Sequence, residues 1–251
     1  SLVQEYEWIL NYLKSHGALL GALKPWHLLS FQYFQRLPSV QEFVARYISK
    51  GLADEFLAAD LIVSSEVAFS QLSRNAWLQL FTQTIRVFVL PRIKLKSMKV
   101  LPGLSSDLPF LIQTSYFNSN YYSPHDGLLL QWLQHHYNIQ NPFQKRSITN
   151  FHSDLQDSLV FLSVLNSHVP NLSSTIGIRS SPVSSEDRLV NALKLITALK
   201  GIWLQYDVKP VNLMEGTVYF LYFFSLFLHQ QLPHFIPKSI VEFSGLLHEE
   251  I

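Results

Sequence analysis

Asn150 to Pro170 reads NFHSDLQDSLVFLSVLNSHVP. Phe151, Leu155, Leu159, Leu162 and Leu165 recur at helical spacing, which predicts one helix with an apolar face. Asp154 and Asp157 lie between them, three residues apart. Paired carboxylates do acid–base chemistry only in a cleft that shifts a pKa. Here they fall between the leucines, toward solvent, so they read as the polar edge of a core helix rather than as catalytic acids.

The flanking sequence is also helical. Leu128, Leu129, Trp132 and Leu133 begin a helix upstream. Downstream, a serine-rich loop leads to Ser184–Asp187, whose hydroxyls and acids suit a helix start. Leu189, Ala192, Leu193, Ile196 and Leu199 then predict the buried stripe, with Gly201 as its C-terminal glycine. Val218–Leu228, VYFLYFFSLFL, is apolar on every side, as a helix at the centre of a domain would be. It is far shorter than the roughly 20 residues a bilayer requires.

The first half carries three more stripes. Tyr6, Ile9, Leu10 and Leu13 end near Gly17. Ser39-Val40-Gln41-Glu42 has the form of a capping box, opening a run with Val40, Phe43, Val44, Tyr47 and Ile48 on one face until Gly51. Trp77, Leu78, Phe81, Ile85, Phe88 and Val89 form the third, ended by Pro91. Between the halves, Pro91–Tyr122 alternates basic and apolar residues over Arg92–Lys96, as an extended segment would, and then turns irregular. The expected division is a helical region over 1–90, a connector over 91–123, a helical domain over 124–237 and a tail over 238–251.

Composition narrows the function. Of the 251 residues 48% are hydrophobic and 15% charged, ample for a core and unlike a disordered chain. There is no cysteine, which removes disulfides, thiol catalysis and zinc–thiolate sites. The chain begins at Ser1 without a basic-then-apolar leader and reads as a piece of a longer protein or a processed chain. Residues 1–123 carry 11 basic and 8 acidic side chains, residues 124–251 carry 8 and 10. Neither half has the positive field that nucleic acid as main partner would need. His135 and His136 are adjacent and point about 100° apart on a helix, so they do not form the i, i+4 pair that shares a metal. No nucleophile motif or phosphate-cradling loop occurs. Arg92, Lys94, Lys96 and Lys99 are the one tight basic cluster, either solvated charges on an exposed edge or a contact for an acidic partner.

Three segments together carry a family resemblance. DGLLLQWLQHHYN supplies Leu129, Leu130 and Trp132; the quoted stretch supplies Asn150, Phe151, Asp157, Leu159 and Leu162; Asn191, Leu199, Gly201, Ile202 and Asp207 follow. In order and spacing they resemble a calponin-homology domain from Pro124 to Pro237. They are most similar to those embedded in large cilia- and flagella-associated proteins of the axonemal central apparatus. Where the family often has Asp-Gly, this chain has Asp157-Ser158, a change a helix would tolerate. Residues 1–123 do not match, so no tandem pair is expected.

The resemblance implies an all-α protein with a single calponin-homology domain, whose core holds Leu129, Trp132, Phe151, Leu155, Leu159, Leu162, Ile196, Ile202 and Phe220. Trp132 is expected between the central and aromatic helices, near Leu159 and Phe220 or Phe223. Asp157 becomes a position that holds a loop or helix start. The implied function is a non-catalytic docking or scaffolding module of a ciliary or flagellar axoneme, in the cytoskeletal compartment. Its partners would be other axonemal proteins, tubulin being one option. No catalytic, cofactor or metal-binding residue is expected, and no nucleic acid, membrane or small-molecule substrate. The alternatives are a direct microtubule or actin binder, and a helical enzyme or ligand carrier.

Overall fold

Helix α1 (Leu2–Ser15) forms where Leu10 and Leu13 can bury one face, with Tyr6 and Ile9 packed beside them. It ends at Gly17, whose φ of +92° lets Ala18 N donate to Leu13 O and Gly17 N to Lys14 O. In this computed structural model, residues 1–49, 55–94, 122–169, 172 and 176–234 are described. The chain divides into two compact units, Ser1–Arg92 and Ile93–Ile251. All regular structure among the described residues is helical.

In the first unit a 3-10 turn (Pro25–Leu28), α2 (Phe31–Gln35), α3 (Pro38–Ser49) and α4 (Glu55–Phe88) follow. Leu10, Leu13, Ala18, Leu20, Leu23, Leu28, Ala76 and Leu80 make the core. The stripe on α4 is rotated from the expected one. Phe69, Ala76, Leu80 and Gln83 are buried, while Phe81 is 54% exposed. Phe81 lies about 100° round from Leu80, and loop residues 18–23 pack on the Leu80 side, where Gln83 Oε1 accepts from Leu19 N at 2.9 Å. The expected capping box is also displaced: Val40 N and Gln41 N both donate to Leu37 O, so Ser39 lies inside the first turn behind Pro38. The side chains of Phe43, Val44, Tyr47 and Ile48, and all of Gly51, lie outside the described residues. A second 3-10 turn (Leu90–Arg92) follows α4, with Arg92 N donating to Val89 O at 3.0 Å. Arg92 is therefore in a tight turn and not in the expected extended run, because Pro91 ends the helix without extending the chain.

The second unit contains α5 (Pro124–Gln140), α6 (Leu159–His168), α7 (Ser185–Gly201), α8 (Pro210–Met214), α9 (Val218–Gln231) and a 3-10 turn (Leu232–His234). A reciprocal cap opens α5: Asp126 N donates to Ser123 Oγ, and Ser123 N to Asp126 Oδ2. α5 packs most extensively on α6; α7 rests on α6 and α8, and α9 on α5 and α8. Leu129, Leu130, Leu133, Val160, Phe161, Val164, Ala192, Leu195, Leu221, Phe224 and Leu228 fill the centre with essentially no exposure. Phe161 meets Phe224 edge to face at 4.8 Å.

Two expectations fail here for local reasons. The stretch 150–170 is not one helix: residues 151–157 are turns and bends, and α6 starts only at Leu159. Ser158, its N-cap, has φ +62° and is fully buried. It occupies the left-handed region that glycine adopts freely, so it stands outside the helix that was to tolerate it. α7 is the second case. Its inner face is Asn191, Ala192, Leu195, Ala198 and Leu199, whereas Leu189 and Leu193 are exposed and Ile196 is half-buried.

Candidate functional site

The two aspartates of the opening stretch are tied into the backbone. Asp154 Oδ2 accepts from Thr149 N at 2.7 Å, Thr149 Oγ1 at 2.9 Å and Asn150 Nδ2 at 3.0 Å. Asp157 takes the Arg146 guanidinium on Oδ2 and the Leu159 N–H on Oδ1 at 3.0 Å. One carboxylate closes a loop; the other anchors Arg146 and caps the first turn of α6.

Leu129, Trp132, Phe151, Leu155, Leu159, Leu162 and Ile202 are buried, and Ile196 and Phe220 are half-buried. Trp132 lies between α6 and α9, but its ring neighbours are His136 at 5.0 Å, His229 at 5.0 Å and His168 at 5.8 Å. Phe220 instead meets Tyr206 and Phe224. Of the basic cluster, Arg92 and Lys94 are exposed, while Lys96 and Lys99 lie outside the described residues.

The fold thus gathers histidines that are far apart in sequence. His136 and His168 rings are 4.5 Å apart and His135 lies 5.3 Å from His136. Ser167 Oγ–H donates to Val164 O at 2.8 Å, which leaves that oxygen to accept from His136 Nδ1, also at 2.8 Å. Among the described residues, the buried His136 Nε2 has no hydrogen-bond partner. Burial pushes His136 down to about 3, helped by repulsion from His168, His135 and His229. Burial likewise pushes His229 down to about 4 and lowers His168 and His135. Burial thus favours the uncharged imidazoles, and His136, His168 and His229 pack on Trp132 as an uncharged plug. Among the described residues, no three His, Asp or Glu side chains are placed to hold a metal ion, and no helix is long and apolar enough to cross a membrane.

On the outer side of the domain, Ile196, Leu199, Lys200 and Trp203–Val208 line a groove of about 560 Å³. It opens where α7 ends. Leu204 N donates to Leu199 O and Trp203 N to Lys200 O, so Trp203 takes the position after the helix that usually belongs to glycine, with φ +57°. Gly201, expected there, is still helical. Nothing in the spacing of Leu199–Trp203 reveals this shift of two residues.

Trp132, the Asn150–Ser158 turn and Asn191 all lie within the part of the second unit that a known domain family matches. Residues 124–229 match the calponin homology (CH) domain family, and residues 1–93 match the Cilia- and flagella-associated protein 47 domain family. The chain is similar to Cilia and flagella-associated protein 47 of Mus musculus, 25% identical over 97% of this chain. It is also similar to its Homo sapiens namesake, at 24% identity over the same share. The chain spans about 8% of the length of these relatives. No solved structure gives a significant match.

Proposed function

We propose that the chain is a non-catalytic protein-interaction module of a ciliary or flagellar protein, joining its neighbours in an axonemal assembly. The observation that supports this most is that likeness to the ciliary relatives runs through 97% of the chain, so the first unit and the calponin-homology domain recur together. A fold of this class does not itself choose a partner; the grafted surface does. A fluorescent fusion of residues 1–251 expressed in ciliated cells should concentrate along the axoneme. Diffuse cytosolic signal with no ciliary enrichment would sink the reading.

Direct tubulin contact is a second reading, favoured by exposed Arg92 and Lys94 at the start of the connector. Acidic filaments attract such cations, and the attraction is screened beyond about 8–10 Å at physiological salt. Co-sedimentation should show no F-actin binding and at most weak microtubule binding. Any microtubule binding should fall with salt and be lost on replacing Arg92, Lys94, Lys96 and Lys99 by Ala. Salt-resistant microtubule binding by that variant would reject the connector as the contact.

A further inference from the structure

Phe143 is 98% exposed, the most exposed large apolar side chain among the described residues. Single apolar residues on a surface are ordinary; what sets this one apart is how it is held. Asn141-Pro142-Phe143-Gln144 is a tight turn, closed by Gln144 N donating to Asn141 O at 3.1 Å, with Pro142 fixing the backbone just before Phe143. The first foot of the turn is Asn141. Its Nδ2 donates to Tyr137 O at 2.9 Å and to Ser163 Oγ at 3.0 Å, which ties the foot to α5 and α6. The second foot is Arg146. Arg146 N donates to Asn138 Oδ1 at 2.9 Å, while the guanidinium pairs with Asp157 and lies 5.1 Å over the Tyr137 ring. The domain therefore fixes both ends of a turn and leaves the ring at its tip in water. A tip held in this way has little conformational freedom left to lose on binding, and aromatic side chains seated in pockets carry much of an interface's energy.

The charge beside the tip gives the partner's chemistry. From Gly127 to Ser153 the chain has no carboxylate. The next two acids are both engaged, Asp154 by Thr149 and Asn150, and Asp157 by Arg146 and the Leu159 N–H. Lys145, two residues from the tip, is exposed and has no ion-pair partner among the described residues. We propose that the turn over residues 141–146 is a docking knob. Phe143 enters an apolar pocket of a partner protein, and Lys145 meets a carboxylate on the rim of that pocket. Tip-to-tip pairing of two copies would bring the two Lys145 side chains together, which disfavours it. A lipid surface is disfavoured as well, because stable attachment takes a broad apolar face or a cluster of basic residues, and the tip has one phenyl ring and one lysine. This rests on the reading of the chain as an interaction module and locates one contact of that module.

The test expresses the whole 251-residue chain in ciliated cells with Phe143→p-benzoylphenylalanine, a photo-crosslinking side chain of similar shape. Val183→p-benzoylphenylalanine, at a position 88% exposed, controls for exposure alone. Irradiation should join position 143 to one protein, and the side chains it labels should be apolar and lie beside an Asp or Glu. Adding Lys145→Glu should lower that yield about tenfold, and Lys145→Arg should retain it. Phe143→Ser should leave the melting temperature unchanged, because the ring is not part of the core. An adduct to lipid assigns the turn to a membrane, and an adduct to another copy of the chain assigns it to self-pairing; either overturns the proposal. Equal yield of the same adduct from position 183, no response to Lys145→Glu, or a lower melting temperature for Phe143→Ser also overturns it. Ciliary enrichment is scored in the same cells. Enrichment with no adduct overturns the knob and leaves the module reading standing, whereas loss of enrichment sinks both.

Discussion

Asn191 Nδ2, on α7, donates to the backbone carbonyl of Asp157, 34 residues earlier in the chain, at 3.2 Å. The same amide donates to Arg179 O at 3.0 Å and accepts from Arg179 N at 2.9 Å. One fully buried side chain therefore holds the turn before α6 and the loop before α7 to the same point. Asn191→Ala would remove three hydrogen bonds to partly buried backbone groups, each worth about 0.5–1.5 kcal/mol. We expect a loss of about 3 kcal/mol in urea unfolding, and a loss below about 1 kcal/mol would mean the loops hold without it.

Ser158 predicts a gain. Its left-handed backbone costs a non-glycine residue about 1–2 kcal/mol, and its buried hydroxyl has no hydrogen-bond partner among the described residues. Glycine's larger unfolded-state entropy offsets about 0.5–1 kcal/mol of this. Ser158→Gly should stabilise the domain by about 1 kcal/mol and raise Tm by about 2–4 °C. A lower Tm would show that the strain is relieved in some other way.

Trp132 is 1% exposed and packed by three imidazole rings. Trp132→Ala should cost about 3–5 kcal/mol, a large part of a domain's stability of about 5–15 kcal/mol. Thermal melting within a degree or two of the parent would contradict its central place.

The histidine plug sets a pH dependence. His136 and His229 have folded-state values below the ordinary 6.5, at about 3 and about 4, so folding favours their neutral forms. Their stabilising effect is complete above pH 6.5 and is lost as pH falls from there toward those values. Each group contributes up to about 1.4 kcal/mol per pH unit in that window. No carboxylate contributes to the shifts of His136, His168 or His229, and the Val164 carbonyl, which raises His168, is outweighed by burial. Urea midpoints should fall between pH 6.5 and 4.5 in the parent and fall less steeply in His136→Phe. Identical slopes would rule the plug out as the cause.

Local sequence determined the helical class and most helix positions, because apolar periodicity and caps act within a few residues. The family resemblance, rather than local pattern, gave Asp157 a loop or helix start to hold, and its Oδ1 accepts from the Leu159 N–H at the start of α6. Local sequence did not choose which face of α7 turns inward. Leu189, Leu193 and Ile196 satisfy helical spacing as well as Ala192, Leu195 and Leu199, and only packing against α6 and α8 separates them. The left-handed Ser158 and Trp203 were hidden for a related reason: tertiary contacts hold conformations that local preference disfavours. The histidine plug was least legible, since His136, His168 and His229 meet only when α5, α6 and α9 pack together. Burial, a property of the assembled domain, then makes them neutral.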